Sequence, residues 1–177
     1  MKKMIRLFIG MVVVLVTFNA CNNDTVKHEE DAVSVSDSEK QIATEPVITE
    51  QMAADEKLIK DFIAKNNIPA IRHKSGIYYQ IIKRGAGSIS YTESTTVTAN
   101  YVGRLLDGTV FDKTYHSPVP FQLGGVITGW QTGVPLIQKG GKIRLLIPSG
   151  LGYGPNESGS IKANSVLDFD IELVDVQ

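Results

Sequence analysis

The stretch Val166–Val176, VLDFDIELVDV, decides how the rest of the chain is read. Leu167, Phe169, Ile171 and Leu173 fall on one side of an extended backbone, and Asp168, Asp170 and Glu172 on the other. A period of two sustained this long marks a half-buried antiparallel strand, because successive side chains point to opposite faces of a sheet. Working outward, KIRLLIPS at 142–149 reads as a second strand. TVTANYVGRLLDG at 96–108 is a third, with Val97, Ala99, Tyr101 and Gly103 on one face, and GIYYQIIKRG at 76–85 is a fourth, ending at the turn RGAGS. Between them lies GGVITGW at 124–130, which holds the only tryptophan. Trp130, Val134 and Ile137 sit at helical spacing behind Thr128 as N-cap, with Gly140 and Gly141 as the stop and Pro135 removing one internal hydrogen bond. The expected fold is α+β: an antiparallel β-sheet wrapped around one short α-helix.

The N-terminal quarter is built differently. Lys2, Lys3 and Arg6 precede an uncharged apolar run, Leu7–Phe18, too short for the roughly 20 residues of a membrane span. Residues 1–20 read as a secretory signal peptide, and the lone Cys21 directly behind it reads as the lipidated first residue of a bacterial lipoprotein. The alternative is an ordinary signal that leaves an unpaired thiol. Asn22, in place of aspartate, favours the outer over the inner membrane. Residues 21–54 carry eight acids against Lys27 and Lys40, with no apolar period, and read as a disordered, charge-extended tether. Residues 55–71 hold an amphipathic N-terminal helix: Asp55 is the expected N-cap, Leu58, Ile59, Phe62 and Ile63 form the apolar stripe, and Asn66, Asn67 and Pro69 form the stop. Residues 72–177 are the folded domain.

Composition and motifs remove several classes of chemistry. A net charge of -1 and a pI of about 6.3 give no basic surface for nucleic acid. His28, His73 and His116 share no metal-ligand spacing and no phosphate-binding glycine loop is present, so no metal or redox catalysis is expected. SGLGYG lacks the spacing and following helix of a nucleophile elbow. Three polar side chains stand among apolar neighbours: Tyr101, Asp112 and Tyr153. Asp112 also fits a turn carboxylate, and each tyrosine also fits a core ring with a wet hydroxyl.

Taken as a set, VTANYVGRLLDGTVFD, PFQLGGVITGWQTGVPLIQKGGKIRLLIPSGLGYG and ANSVLDFDIELVDV resemble the FKBP-type peptidyl-prolyl cis-trans isomerases, over roughly Gly76 to Val176 and in the family's order. The resemblance implies catalysis of X–Pro rotation on proline-containing polypeptide clients, without a cofactor, and inhibition by macrolides of the rapamycin type. It implies a catalytic set of Tyr101, Phe111, Asp112, Ile127 and Tyr153. It implies substrate contacts from Phe121, Leu123, Val126, Trp130, Ile161 and Phe169, with Trp130 as the pocket floor. Leu123 stands where many members carry an aromatic. With the lipoprotein start, the expected location is the bacterial cell envelope, with the domain facing the periplasm or exterior. The rival reading is a proline-segment binding module or chaperone with little turnover.

Overall fold

A computed structural model describes residues 45–177; the expected signal peptide, Cys21 and the expected tether as far as residue 44 lie outside the described residues. Helix α1 (Glu45–Asn66) leads into strands β1 (Ile71–Arg72), β2 (Tyr78–Lys83), β3 (Thr96–Leu105), β4 (Val110–Lys113) and β5 (Val119–Gln122). Helix α2 (Thr128–Gly133), β6 (Lys142–Ile147) and β7 (Leu167–Val176) follow. Every pairing is antiparallel, and the strand order is β1-β2-β6-β7-β3-β4. The edge of β3 is shared: its first half pairs with β5, Val97 opposite Phe121, and its second half with β4, Gly103 opposite Asp112.

The alternation in β7 holds. Leu167, Phe169, Ile171 and Leu173 are buried on the face that carries α2. Glycine lets α2 approach that face: a Cβ at Gly129 would stand 2.5 Å from Ile147, and one at Gly133 would stand 2.5 Å from Leu145. The helix is shorter than its apolar spacing suggests. It ends at Gly133 and tightens into a 3-10 turn, Val134–Leu136, well before Gly140. Pro135 is the reason, since it has no N–H to give and its ring crowds the carbonyl four residues back. Ile127, not Thr128, is the N-cap, and no side chain caps the helix.

Helix α1 departs further from expectation. It is already helical at Glu45, so the last ten residues assigned to the tether, 45–54, are not extended chain. Pro46 suits a first helical turn, and Gln51, Met52, Ala53 and Ala54 are good helix formers; the acidic composition masked both signals. Asp55 is therefore an interior residue and not an N-cap. The C-terminal stop is as expected. Asn67 adopts φ 51°, and the Ile68 and Asn67 amides donate to the carbonyls of Ile63 and Ala64, a left-handed cap closing the last turn.

Ile59, with Phe62 and Ile63, packs on Tyr78, Leu146 and Val166 across the sheet from α2. That face was expected to be the polar one. Asp168, only 2% exposed, lies there beside α1, and Arg144 binds it bidentately at 2.8 and 2.7 Å with its guanidinium 5.8 Å from the Phe62 ring.

Candidate active site

The shared edge of β3 sets the site. Tyr101 on β3, Phe111 and Asp112 on β4, Phe121 on β5 and Phe169 on β7 converge over Trp130 on α2. Trp130 is 4% exposed, and three rings meet it edge-on: Tyr101 at 5.3 Å, Phe169 at 5.4 Å and Phe121 at 5.5 Å between centroids. Phe111 extends the wall through Phe169, 5.4 Å away at 85°. Edge-to-face contact sets the positive rim of one ring against the negative face of the next and leaves gaps that stacked rings would close. Gly103 makes the wall possible. Its missing Cβ would fall 2.6 Å from Phe111 and 2.7 Å from Phe169.

These rings floor an open hollow of about 330 Å³ lined by Tyr101, Phe111, Asp112, Phe121, Gly125, Val126, Ile127, Trp130, Tyr153 and Phe169. Nine of the eleven expected pocket residues are brought together here. Leu123 and Ile161 are not among the lining residues; both are buried in the core cluster. The 3-10 turn Leu123–Gly125 carries Leu123 inward, where it faces a separate hollow beside Tyr91 and Gln131. Ile161 is held back by paired backbone hydrogen bonds with Ser158, each 2.9 Å. Gly125 is an addition, and the Gly-Gly step before Val126 was its signal in the sequence.

Polar groups are few and fixed. The Tyr101 hydroxyl donates to Asp112 Oδ2 at 2.6 Å, and Asp112 Oδ1 accepts the Lys113 amide at 2.8 Å. Burial first, then this hydrogen bond and the carboxylate charge, push the Tyr101 hydroxyl above the ordinary phenol range, so it remains a donor at any physiological pH. The Ile127 carbonyl starts α2 by accepting the Trp130 and Gln131 amides, while its own N–H has no acceptor among the described residues. Gln131 Nε2 donates to the Val126 carbonyl at 2.7 Å and so pins the turn that presents that N–H. Tyr153 stands at the rim, 37% exposed. Trp130 Nε1 is buried without a partner, which costs about 1–3 kcal/mol. Among the described residues no group of three His, Cys, Asp or Glu could hold a metal ion. The arrangement offers an apolar ring-sized floor, one backbone donor, one hydroxyl and one oriented carboxylate.

Comparison with known proteins points the same way. Residues 87–174 match the sequence model of a family described as FKBP-type peptidyl-prolyl cis-trans isomerase. The chain is 37% identical over 161 residues to the FKBP-type peptidyl-prolyl cis-trans isomerase FkpA of Buchnera aphidicola subsp. Schizaphis graminum, covering 88% of this chain and 64% of that protein. It is 46% identical over 105 residues to FkpA of Escherichia coli strain K12, covering 58% of this chain and 38% of that one. These curated relatives are longer proteins, and this chain spans less than two thirds of either. A crystal structure of a peptidyl-prolyl cis-trans isomerase from Pseudomonas syringae aligns with a TM-score of 0.60 at 33% identity, covering 71% of this chain and 96% of that one. With the antiparallel sheet, the short α2 and the ring-lined hollow already in place, the chain belongs to the family of FKBP-type peptidyl-prolyl cis-trans isomerases.

Proposed function

We propose that this protein is a peptidyl-prolyl cis-trans isomerase acting on proline-containing segments of proteins that fold in the bacterial cell envelope. The observation that carries this is the convergence of five aromatic rings, the unpaired Ile127 N–H and the Tyr101–Asp112 pair on one hollow of about 330 Å³.

The chemistry asks for little more. Rotation about an X–Pro bond breaks no σ bond; it crosses a barrier of about 20 kcal/mol because twisting destroys amide resonance. The planar amide is the more polar state, so a dry aromatic site disfavours it relative to the twisted one, which is differential binding of the transition state. Trp130, Phe111, Phe121 and Phe169 hold the proline ring. The Ile127 N–H anchors the carbonyl that follows proline, and the Tyr153 hydroxyl donates a second hydrogen bond to the substrate. Asp112, aimed by Tyr101, stands beside the carbonyl that turns. Because these groups orient and desolvate without transferring protons, the site works without a cofactor. Macrolides of the rapamycin type are the inhibitors this reading implies, seated over the same ring floor.

The finer location belongs to the same proposal. The leader and Cys21 support a lipid anchor, and Asn22 supports placement at the outer membrane. Labelling with a radioactive fatty acid, lost in Cys21→Ala, tests the anchor.

Exchange of short X–Pro peptides between cis and trans, followed by NMR, tests the activity. Wild type accelerates exchange. Phe111→Ala and Asp112→Ala stay folded and lose roughly tenfold or more, which is about 1.4 kcal/mol of barrier. A folded wild type without acceleration would instead indicate a proline-segment binding module.

A further inference from the structure

Asp55 is the most buried carboxylate described, fully excluded from solvent, and the pocket does not use it. It lies on the same stripe of α1 as Ile59, Phe62 and Ile63, the stripe that packs on the sheet. An acid on an apolar stripe is costly unless fully hydrogen-bonded. Here it is. Oδ2 accepts both the amide and the hydroxyl of Ser149, at 2.8 and 2.6 Å, and Oδ1 accepts Gln51 Nε2 at 2.7 Å. Ser149 is itself 1% exposed and opens the 3-10 turn Ser149–Leu151 directly after β6.

The far side of Ser149 faces the pocket rim. Its carbonyl accepts two amides, Gly152 at 2.9 Å and Gly154 at 2.8 Å, which flank Tyr153. The Gly154 carbonyl in turn accepts the Asn164 amide at 2.8 Å. Gly152 is held close from outside as well, since a Cβ there would stand 2.9 Å from Leu167. The Tyr153 side chain is more than a third exposed, so ring packing alone does not fix it. The turn that carries it takes two of its amides to the Ser149 carbonyl. A carboxylate that receives both Ser149 donors locks that residue from one side while its carbonyl locks the amides around Tyr153 from the other.

We propose that Asp55 is a positioning residue for the peptide site: from helix α1, outside the matched family region, it sets the Tyr153 turn through Ser149. The proposal rests on the isomerase reading for its effect on activity, but not for its effect on the turn. It gives α1 a role at the site that lies on the opposite side of the sheet from its own packing face.

The test uses the full chain, with Asp55→Ala, Asp55→Asn, Ser149→Ala, Tyr153→Phe and the pair Asp55→Ala/Tyr153→Phe. Ile59→Ala serves as a control that loosens α1 one turn away without touching Ser149. Two quantities are read: amide hydrogen exchange at Gly152 and Gly154, and kcat/KM on an X–Pro peptide. Asp55→Ala should speed exchange at both glycines and lower kcat/KM roughly 5- to 20-fold, as displacement of a substrate-positioning group does. Asp55→Asn keeps one acceptor oxygen for Ser149 and should restore most of both; Ser149→Ala, which loses only the hydroxyl bond, should fall between. In the Tyr153→Phe background Asp55→Ala should cost little more, because the hydroxyl it positions is already gone. Ile59→Ala should lower Tm and leave the glycine amides and kcat/KM unchanged. Unchanged exchange at Gly152 and Gly154 in Asp55→Ala would overturn the proposal. So would losses from Asp55→Ala and Tyr153→Phe that simply multiply, or an equal loss of activity in Ile59→Ala. Faster glycine exchange in a wild-type background that shows no isomerase activity would uphold the positioning of the turn and overturn the isomerase reading instead.

Discussion

The sheet has two covered faces, and each carries a tyrosine bonded to a carboxylate. On the α2 face Tyr101 donates to Asp112 at 2.6 Å inside a ring-lined hollow. On the α1 face Tyr78 donates to Glu56 at 3.0 Å in a network with Lys60 and Arg72. The chemistry is the same and the surroundings are not. The first pair has no ion-pair partner among the described residues, and its carboxylate is exposed at the mouth of the ring-lined hollow. The second is neutralised by two cations at the protein surface. The α2 face also holds the main core, fifteen buried residues against four under α1 among those described. One face therefore carries the apolar hollow, and the other docks a helix.

The largest break in that comparison comes from truncating each core. Leu145→Ala, beneath α2, should cost about 2–5 kcal/mol, because its neighbours on three strands and the helix cannot collapse into the space. Ile59→Ala removes a side chain of the same size under α1 and should cost near the lower end, about 2 kcal/mol, since a helix packed on one side relaxes toward the gap. Urea unfolding of the two variants measures both, and an equal cost would mean that α1 is as rigidly seated as α2.

Next in size is Gly103→Ala. It touches only the ring wall, where the added carbon would meet Phe111 and Phe169 below 3 Å. Overpacking should cost about 1–3 kcal/mol, and the displaced rings should lower kcat/KM roughly 10- to 100-fold. Peptide exchange by NMR and a melting curve on the same sample separate the two effects.

These residues also show how much could be read without coordinates. The long strands and the aromatic set were legible, the first from the period of two, the second from a motif spread over the whole domain. Strands β1, β4 and β5 were not, because two to four residues cannot display a period. As a result the turn-carboxylate alternative for Asp112 stayed open in the sequence, although the residue belongs to an edge strand. The inward turn of Leu123 was not legible either, because one 3-10 turn reverses inside and outside within three residues. The start of α1 was hidden by acidic composition, and with it the role of Asp55. The clue was present: Asp55 precedes Ile59 and Phe62 by four and seven residues, which puts it on the buried stripe. Gly103 gave no signal of its own, since a glycine in a strand acquires meaning only from the rings across from it.

A smaller effect tests the wet side of the comparison. The hydrogen bond from Lys60, then that from Tyr78, hold the Glu56 carboxyl down at about 2, against an ordinary value of 4.5. A depressed carboxylate contributes stability in full above its unfolded value and loses it as pH falls toward the folded one. The Tm advantage of wild type over Glu56→Gln should therefore be constant above pH 4.5, shrink below it and vanish near pH 2. Added salt should also shrink it, because the network lies at the surface. An advantage indifferent to pH would show that Glu56 docks α1 by shape and not by charge.

The smallest effect tests the ring-lined side. Burial is the leading reason that the Tyr101 hydroxyl sits above its ordinary value of 10.0, with the Asp112 hydrogen bond and charge behind it. A raised phenol contributes stability that is complete below 10.0 and is lost as pH climbs beyond it, so nothing changes across the physiological range. The difference in tyrosinate absorbance between wild type and Tyr101→Phe isolates this one ring, and it should show no ionisation where exposed tyrosines ionise. Asp112→Asn should bring Tyr101 only part of the way back, because removing the charge leaves the burial. A full return to the ordinary value would mean that Asp112 alone holds the hydroxyl and that the hollow is wetter than its five rings imply. The twisted amide would then gain little from entering it, and catalysis would have to come from the Ile127 and Tyr153 donors.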